Sequence, residues 1–257
     1  VTETNTTSRV RLNSVKLPRA ADVLVEQIKQ GIILGTYPEG TRLPTENEMA
    51  AQLNVSRPTV REALRLLEAE GLISTRPGPG GGPRVCRPDV LTVTRSLTTL
   101  FQYERVTLAE LLEARRAIEP ACARVAALHA APEDVARLCE SIENMQARLQ
   151  DDEIFWRENA NFHLALAAAG QNQVLHTMMT ALREMIYQFT AGLHIASEER
   201  DGTLAEHTAI MEAIAAHDPE AAAHATHDHL WKSEERLREE YPDILQSAGL
   251  PKPGDTI

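Results

Sequence analysis

Three cysteines, Cys86, Cys122 and Cys139, are all that the 257-residue chain contains. Their odd number and the lack of a Cys-x-x-Cys spacing exclude a disulfide framework and a zinc ribbon, so they read as inert thiols in a reducing cytoplasm. The polar start, Val1 to Arg11, has no apolar stretch of the signal-peptide kind. Asn159 to Leu182 is free of Asp, Glu, Lys and Arg, yet its Asn, Gln, His and Gly content is wrong for a bilayer span, so no membrane partner is expected. Internal repeats, low-complexity tracts other than alanine-rich helix faces, and strand signals beyond residue 90 are missing as well. What remains is a chain with 43% hydrophobic residues, which excludes general disorder and is long enough for two domains with separate cores.

The most informative stretch is 41–85. Thr45 and Glu48 form a capping box that opens a helix from Glu46 to about Leu53, and Asn54 ends it. Ser56 caps a second helix whose first turn tolerates Pro58, because an N–H there would lack an intrahelical acceptor anyway. Val60, Leu64 and Leu67 share one face of that helix, while Arg57, Thr59, Arg61 and Arg65 occupy the other. Cations towards the N-terminal half of such a helix are what a recognition helix offers to base edges, and Arg suits guanine O6 and N7. Gly71 to Thr75 then leads into a short strand, and a Gly/Pro loop bracketed by Arg76 and Arg84 precedes a second strand at Val85. Glycines let backbone approach a phosphate or a groove floor, and the flanking cations supply sequence-independent attraction. The order of these pieces spells a winged helix-turn-helix that binds double-stranded DNA.

The run Leu-Pro-Thr-Glu, Val-Ser-Arg-Pro-Thr-Val-Arg-Glu-Ala-Leu and Glu-Gly-Leu-Ile within residues 43–73 resembles the DNA-binding domain of the GntR transcription regulators, over about Lys16 to Arg87. The resemblance implies that Arg57, Thr59 and Arg61 meet the operator and that the wing enters the minor groove near Gly78. Arg42, Asn47, Ser56, Arg65 and Arg76 complete the candidate DNA-binding set. Asn47 departs from the family, which often has Arg there, so a charge is missing at that point.

Charge divides the chain in the same way. Residues 1–88 hold 12 Lys+Arg against 9 Asp+Glu, a net of +3, and residues 89–257 hold 14 against 28, a net of −14. Only the front is suited to a polyanion, and the acidic remainder should repel it. The expected layout is a flexible arm at 1–15, the DNA-binding domain at 16–87 with a first helix from Leu17 to Leu34 ended by Gly35, a linker at 88–92, an effector domain at 93–240 and a tail at 241–257. Beyond the linker the punctuation marks seven helices, at about 91–103, 107–129, 132–149, 153–169, 172–195, 204–216 and 219–240. Asp201-Gly202 reads as a turn. Helices without strands imply an antiparallel bundle, so the fold class is mainly α: a small β wing in the head, then an all-α domain.

Within that bundle, Asn159 and His163 lie one turn apart on a helix face with Phe162 beside them, and His207 and His229 sit on the last two helices. Imidazoles with an oxygen donor suit a divalent ion, and bundles build such sites from facing helices. Spacing alone leaves a metal site and ordinary polar histidines both open, since nine histidines occur in the chain. His229 is preferred over His227 because it extends the apolar stripe of Ala222, Ala225 and Ser233, whereas His227 points about 160° away.

Arg-Arg-Ala-Ile-Glu at 115–119, Asn-Ala-Asn-Phe-His at 159–163, Glu-His at 206–207 and His-Leu at 229–230 resemble the all-helical (FCD-type) effector domain of the FadR-like GntR subfamily. The resemblance implies that Asn159, His163, His207 and His229 hold a divalent metal, zinc or nickel first, that helps to bind a small carboxylic acid. Asn159 replaces the usual Asp, and a neutral amide attracts a cation less than a carboxylate does. Arg115, and secondarily Arg116, can clamp a carboxylate bidentately; the alternative for Arg115 is a structural pair with Glu119, one turn on. Gln171 to Gln173, Tyr187 and Thr208 are further polar candidates.

The expected protein is therefore a homodimeric, ligand-responsive regulator, a repressor by preference, and not an enzyme. Two other readings stay open: a metal-dependent hydrolase fused to a DNA-binding module, and an architectural DNA binder without an effector. The sequence lacks His-Glu-x-x-His, and Glu206, next to His207, points about 100° from it on a helix, which makes it a poor general base.

Overall fold

A computed structural model describes residues 19–78, 80–190, 193–194 and 197–246. The expected arm at 1–15 and the end of the expected tail lie outside them. The chain divides into two compact units, Val1–Asp89 and Val90–Ile257.

The first unit contains α1 (Ala20–Ile33), α2 (Glu46–Leu53), α3 (Arg57–Ala69), β1 (Ile73–Arg76) and β2 (Gly82–Val85). Both caps form as the residues dictate. The Thr45 hydroxyl accepts from the Glu48 N–H at 3.3 Å while Glu48 Oε2 accepts from the Thr45 N–H at 2.7 Å, and Ser56 Oγ accepts from the Thr59 N–H at 3.3 Å. Asn54 ends α2 in the left-handed region at φ 51°, which a short polar side chain tolerates. The strands run antiparallel from Ile73 opposite Val85 to Arg76 opposite Gly82. Val60, Leu64 and Leu67 of α3 pack with Leu24, Ile28, Leu43, Met49, Ile73 and Val85 into one core. That core fixes which face of α3 is left to solvent.

The second unit is helical among the described residues: α4 (Val90–Glu104), α5 (Leu108–His129), α6 (Pro132–Ala147), α7 (Asp152–Ala169), α8 (Gln173–Thr190), α9 (Ser197–Ala215), α10 (Pro219–Glu240) and α11 (Pro242–Leu245). α5 packs against α7, α8, α9 and α10, α10 lies along α9, and α7 lies along α6 and α8. Phe155, Phe162, Phe189, Met179, Ile210 and Ile214 fill the middle.

Four expectations need correction. Helix α4 begins at Val90, inside the segment expected to be a linker. Helix α9 begins at Ser197, well before Leu204, and runs through Asp201-Gly202, where a turn was expected. A glycine in a helix costs about 1 kcal/mol relative to alanine. Burial of Arg200, which pairs with Asp152 of α7, anchors this first stretch of α9 against that cost. Helix α8 is described as far as Thr190, and Leu193 and His194, inside the span expected to be helical to about 195, are not helical; the Leu193 N–H donates to the Thr190 carbonyl at 3.1 Å. The tail is not featureless either, because α11 buries Ile244 and Leu245.

Candidate DNA-facing surface and metal centre

On the first unit, α3 presents Arg57, Arg61 and Arg65 to solvent, with Thr59 half-buried beside them. Ser56 is exposed at the helix start, its hydroxyl 2.7 Å from that of Thr59, so it works as a cap as well as lying on the surface. Arg61 is not free. Glu46 of α2 takes its Nη2 at 2.9 Å and its Nε at 3.2 Å, and this hydrogen-bonded cation is the main reason the Glu46 carboxyl is held below its ordinary pKa. Asn47 is exposed on α2, and Arg76 is exposed at the end of β1. Arg42 is exposed and forms an isolated antiparallel bridge with Arg84, whose guanidinium donates to the Gly40 carbonyl at 3.1 Å. Gly78 stands at φ 97° in the loop between the strands, a backbone state open to glycine and strained for other residues. The nine candidate DNA contacts thus come from α2, α3 and its Ser56 cap, the two-stranded wing, and Arg42, which is bridged to the wing ahead of α2.

On the second unit, α7 carries Asn159 and His163, α9 carries His207 and α10 carries His229. The three imidazoles are buried, and one nitrogen from each lies within 4.8 Å of the others. His207 Nε2 and His229 Nε2 are 3.3 Å apart. Nitrogens bound to one divalent ion at about 2.1 Å stand roughly 3 to 3.5 Å from each other, so the spacing suits a shared ion. Phe162 stacks flat on His207, with ring centroids 3.9 Å apart, and fixes the plane of that imidazole.

Two carboxylates orient the other two rings. His163 Nδ1 meets Glu119 of α5, and His229 Nδ1 lies 2.7 Å from Glu206 Oε2. A carboxylate on Nδ1 holds the proton there and leaves the Nε2 lone pair pointing away, as in carboxylate–histidine–metal arrangements. Burial depresses the pKa of all three imidazoles, His163 to about 4 with Arg115 adding to the effect, and His207 well below its ordinary value. Burial alone would raise Glu119, but Arg115 and His163 hold its carboxyl at about 2. Glu206 likewise sits at about 2, where hydrogen bonds from His229 and Arg236 outweigh its desolvation. At neutral pH the cluster is therefore three neutral imidazoles backed by two ionised carboxylates. His163 Nε2 and His207 Nδ1 are buried without any hydrogen-bond partner. An orphaned buried nitrogen is costly, and a bound cation at His163 Nε2 would remove that cost, so the donor set fits a divalent ion.

Asn159 borders two clefts. One, of about 420 Å³, is lined by Arg115, Trp156, Asn159, His163, Arg183 and Tyr187 along with apolar Met179 and Ile186. The other, of about 430 Å³, includes Asn159, His229, Ser233, Arg236 and Tyr241. Arg115 forms the expected pair, its Nε 2.7 Å from Glu119, and its side chain also lines the first cleft. Arg116 is set apart from it, paired with Glu234 at 2.7 Å and lying over the Trp231 ring. That places Arg116 outside the carboxylate-clamp role expected of it.

Among the further polar candidates, Tyr187 reaches the first cleft, while Asn172 caps α8, Gln171 donates to the His129 carbonyl and Thr208 to that of Leu204. Sequence reasoning missed Glu119 and Glu206 as partners of the imidazoles, and it missed Arg183 altogether. The tie between Glu206 and His229 spans 23 positions on adjacent helices, and no local pattern signals it. Glu206 is also held by Arg236 at 3.1 Å, which commits its carboxylate behind the imidazole and removes it as a general base.

Comparison with known proteins agrees with this layout. Residues 20–81 match the family described as bacterial regulatory proteins, gntR family, and residues 110–231 match the FCD domain. The chain is 30% identical over 217 residues to the HTH-type transcriptional repressor NanR of Escherichia coli (strain K12), with 82% of each chain covered. NanR of Shigella flexneri stands at the same 30% identity and 82% coverage. Among solved structures, a GntR protein of Streptococcus agalactiae shares the fold with a TM-score of 0.68, at 22% identity over 84% of this chain and 99% of that one.

Proposed function

The chain belongs to the gntR family of bacterial transcription regulators, with an FCD domain behind its DNA-binding head, and on that premise we propose that it is a ligand-responsive repressor. As a member of that family it is a regulator and not an enzyme. In the reading advanced here, a homodimer presents two copies of α3 to the half-sites of a pseudo-palindromic operator, with Arg57, Thr59 and Arg61 at base edges and the Gly78 loop in the minor groove. His163, His207 and His229 hold a divalent ion, zinc or nickel, with the Asn159 carbonyl as a weaker fourth donor. That ion supplies a Lewis-acidic anchor for a small carboxylic acid, which Arg115 orients from the cleft wall.

The observation that carries this reading is the orphaned His163 Nε2, buried on the wall of the cleft that also holds Arg115. Control follows only if the acid binds one conformational state of the regulator more tightly than another, since equal affinity would shift nothing.

Elemental analysis of freshly purified protein, followed by a gel shift on the DNA upstream of its own reading frame with carboxylic acids added, tests all parts. A stoichiometric divalent metal and an acid-dependent shift are expected. Arg61→Ala should weaken the shift roughly ten- to a hundredfold, as losing a bidentate base contact does. His207→Ala should leave the shift in place and blunt the response to acid. Equal loss of the shift in both variants would contradict the assignment of DNA reading to one unit and ligand sensing to the other.

A further inference from the structure

Arg183 of α8 is used by nothing described so far. Its Nε is buried without a hydrogen-bond partner, its guanidinium carbon lies 5.6 Å from the centroid of the Tyr187 ring, and its acidic neighbour in the chain, Glu184, stands at 3.7 Å. That separation is too long for a hydrogen bond, and the rest of the guanidinium lines the same cleft as Arg115 and His163. A largely buried cation that lacks a hydrogen-bonded counter-charge is unfavourable unless a ligand completes it.

Arg115 and Arg183 both line the cleft, but they differ in their partners: Arg115 Nε donates to Glu119 at 2.7 Å, whereas the carboxylate of Glu184 stands 3.7 Å from Arg183, beyond hydrogen-bonding distance. A monocarboxylate held at Arg115 leaves Arg183 as it was. A second carboxylate, carried by the same molecule, meets it. Met179 and Ile186 line the same cleft and give its wall an apolar character that suits a short methylene spacer.

From this geometry we infer that the effector is a small dicarboxylate and that Arg183 is the residue selecting it over a monocarboxylate. The inference rests on the acid-effector reading above and narrows it to one ligand class.

Calorimetric titration of the full-length protein as isolated, with malonate, succinate and glutarate set against propionate, butyrate and valerate, tests it, because each pair differs only in the second carboxylate. In the unmodified protein at least one dicarboxylate should bind ten- to a hundredfold tighter than its matched monocarboxylate, the range expected for a charge-assisted contact. Arg183→Met should erase that preference, lowering dicarboxylate affinity far more than monocarboxylate affinity, without loss of metal content and without lowering the melting temperature of the ligand-free protein. Arg183→Gln, which keeps a polar side chain of similar reach without the charge, carries the same test if the methionine variant does not fold. Matched pairs that bind alike in the unmodified protein, or a preference that survives in a folded Arg183 variant, would overturn the role of Arg183 and leave the acid-effector reading standing. Failure of all six acids to bind would overturn that reading and this inference together.

Discussion

At the residue scale, the clearest case of a side chain doing more than its position suggests is Glu46. Read along the chain it is a favourable acid in the first turn of α2; in the folded head it grips Arg61, a candidate base reader, through both carboxylate oxygens. An arginine held this way reaches DNA in one orientation and gives up a partner when it engages a phosphate. Both sides of the pair are more than a third exposed, so its direct contribution to stability is small. Its weight falls on selectivity instead. Glu46→Gln should strengthen binding to random DNA severalfold, steepen the dependence of log K on log salt by about one phosphate, and narrow the ratio of operator to random affinity, all measurable by anisotropy titrations. Unchanged salt dependence would mean that Arg61 is oriented without Glu46. The same scale shows the limit of sequence patterns. Arg115 and Glu119 are one turn apart and were readable as a pair, whereas the orphaned nitrogens of His163 and Arg183 became visible only when every neighbour was in place.

At the scale of elements, local chemistry accounts for most of the head. The bounds of α2, the Ser56 cap, the left-handed Asn54 and the buried stripe of α3 all follow from residues within one turn of each other. Gly31 adds a constraint that only packing shows. It lies inside α1, and a Cβ placed there would stand 2.2 Å from the Tyr37 ring, so that ring covers the helix where a side chain would be. Gly31→Ala gains helix propensity, about 1 kcal/mol, but must displace the ring. The expected net effect is a head destabilised by about 1 to 3 kcal/mol, read as a lower urea midpoint, in line with overpacking elsewhere. A rise in the midpoint would show that Tyr37 moves aside without loss. In the bundle, α9 teaches the opposite lesson: its early start at Ser197 depends on Arg200 reaching across to Asp152, a partner 48 positions away.

At the scale of the whole molecule, the chain separates its tasks by charge and by titratable groups. The net +3 of residues 1–88 and −14 of residues 89–257 were legible at once, and all nine histidines fall in the second stretch. Acid should therefore act on the two units differently. Between the ordinary histidine value of 6.5 and its folded value of about 4, His163 stays neutral in the folded bundle while the unfolded chain takes up a proton, so bundle stability is full above 6.5 and falls as pH drops towards 4. Glu119 and Glu206, held at about 2, act in the same direction lower down: their contribution is present above about 4.5 and is lost as pH falls towards 2. Scanning calorimetry of metal-stripped protein from pH 7 to 5 should move the bundle transition down by several degrees and leave that of the histidine-free head nearly fixed. If the three imidazoles hold a divalent ion as proposed, adding zinc at pH 7 should raise the bundle transition alone, by linkage to the folded state. A parallel shift of both transitions would mean that the units unfold as one.

The sequence by itself determined the winged head, its caps and exposed arginines and the helical character of the remainder, because those features depend on period, turn chemistry and composition over short spans; His163, His207 and His229 were singled out as a set by the resemblance to FCD-type effector domains, since their spacing alone left them open. Only the tertiary structure decided that Glu119 and Glu206 stand behind His163 and His229, that Arg116 turns away to Glu234 and that Arg183 turns into the cleft. Those outcomes depend on how helices distant in the chain rotate against one another to bury their apolar faces, and that rotation is a property of the assembled core, which no window of neighbouring residues contains.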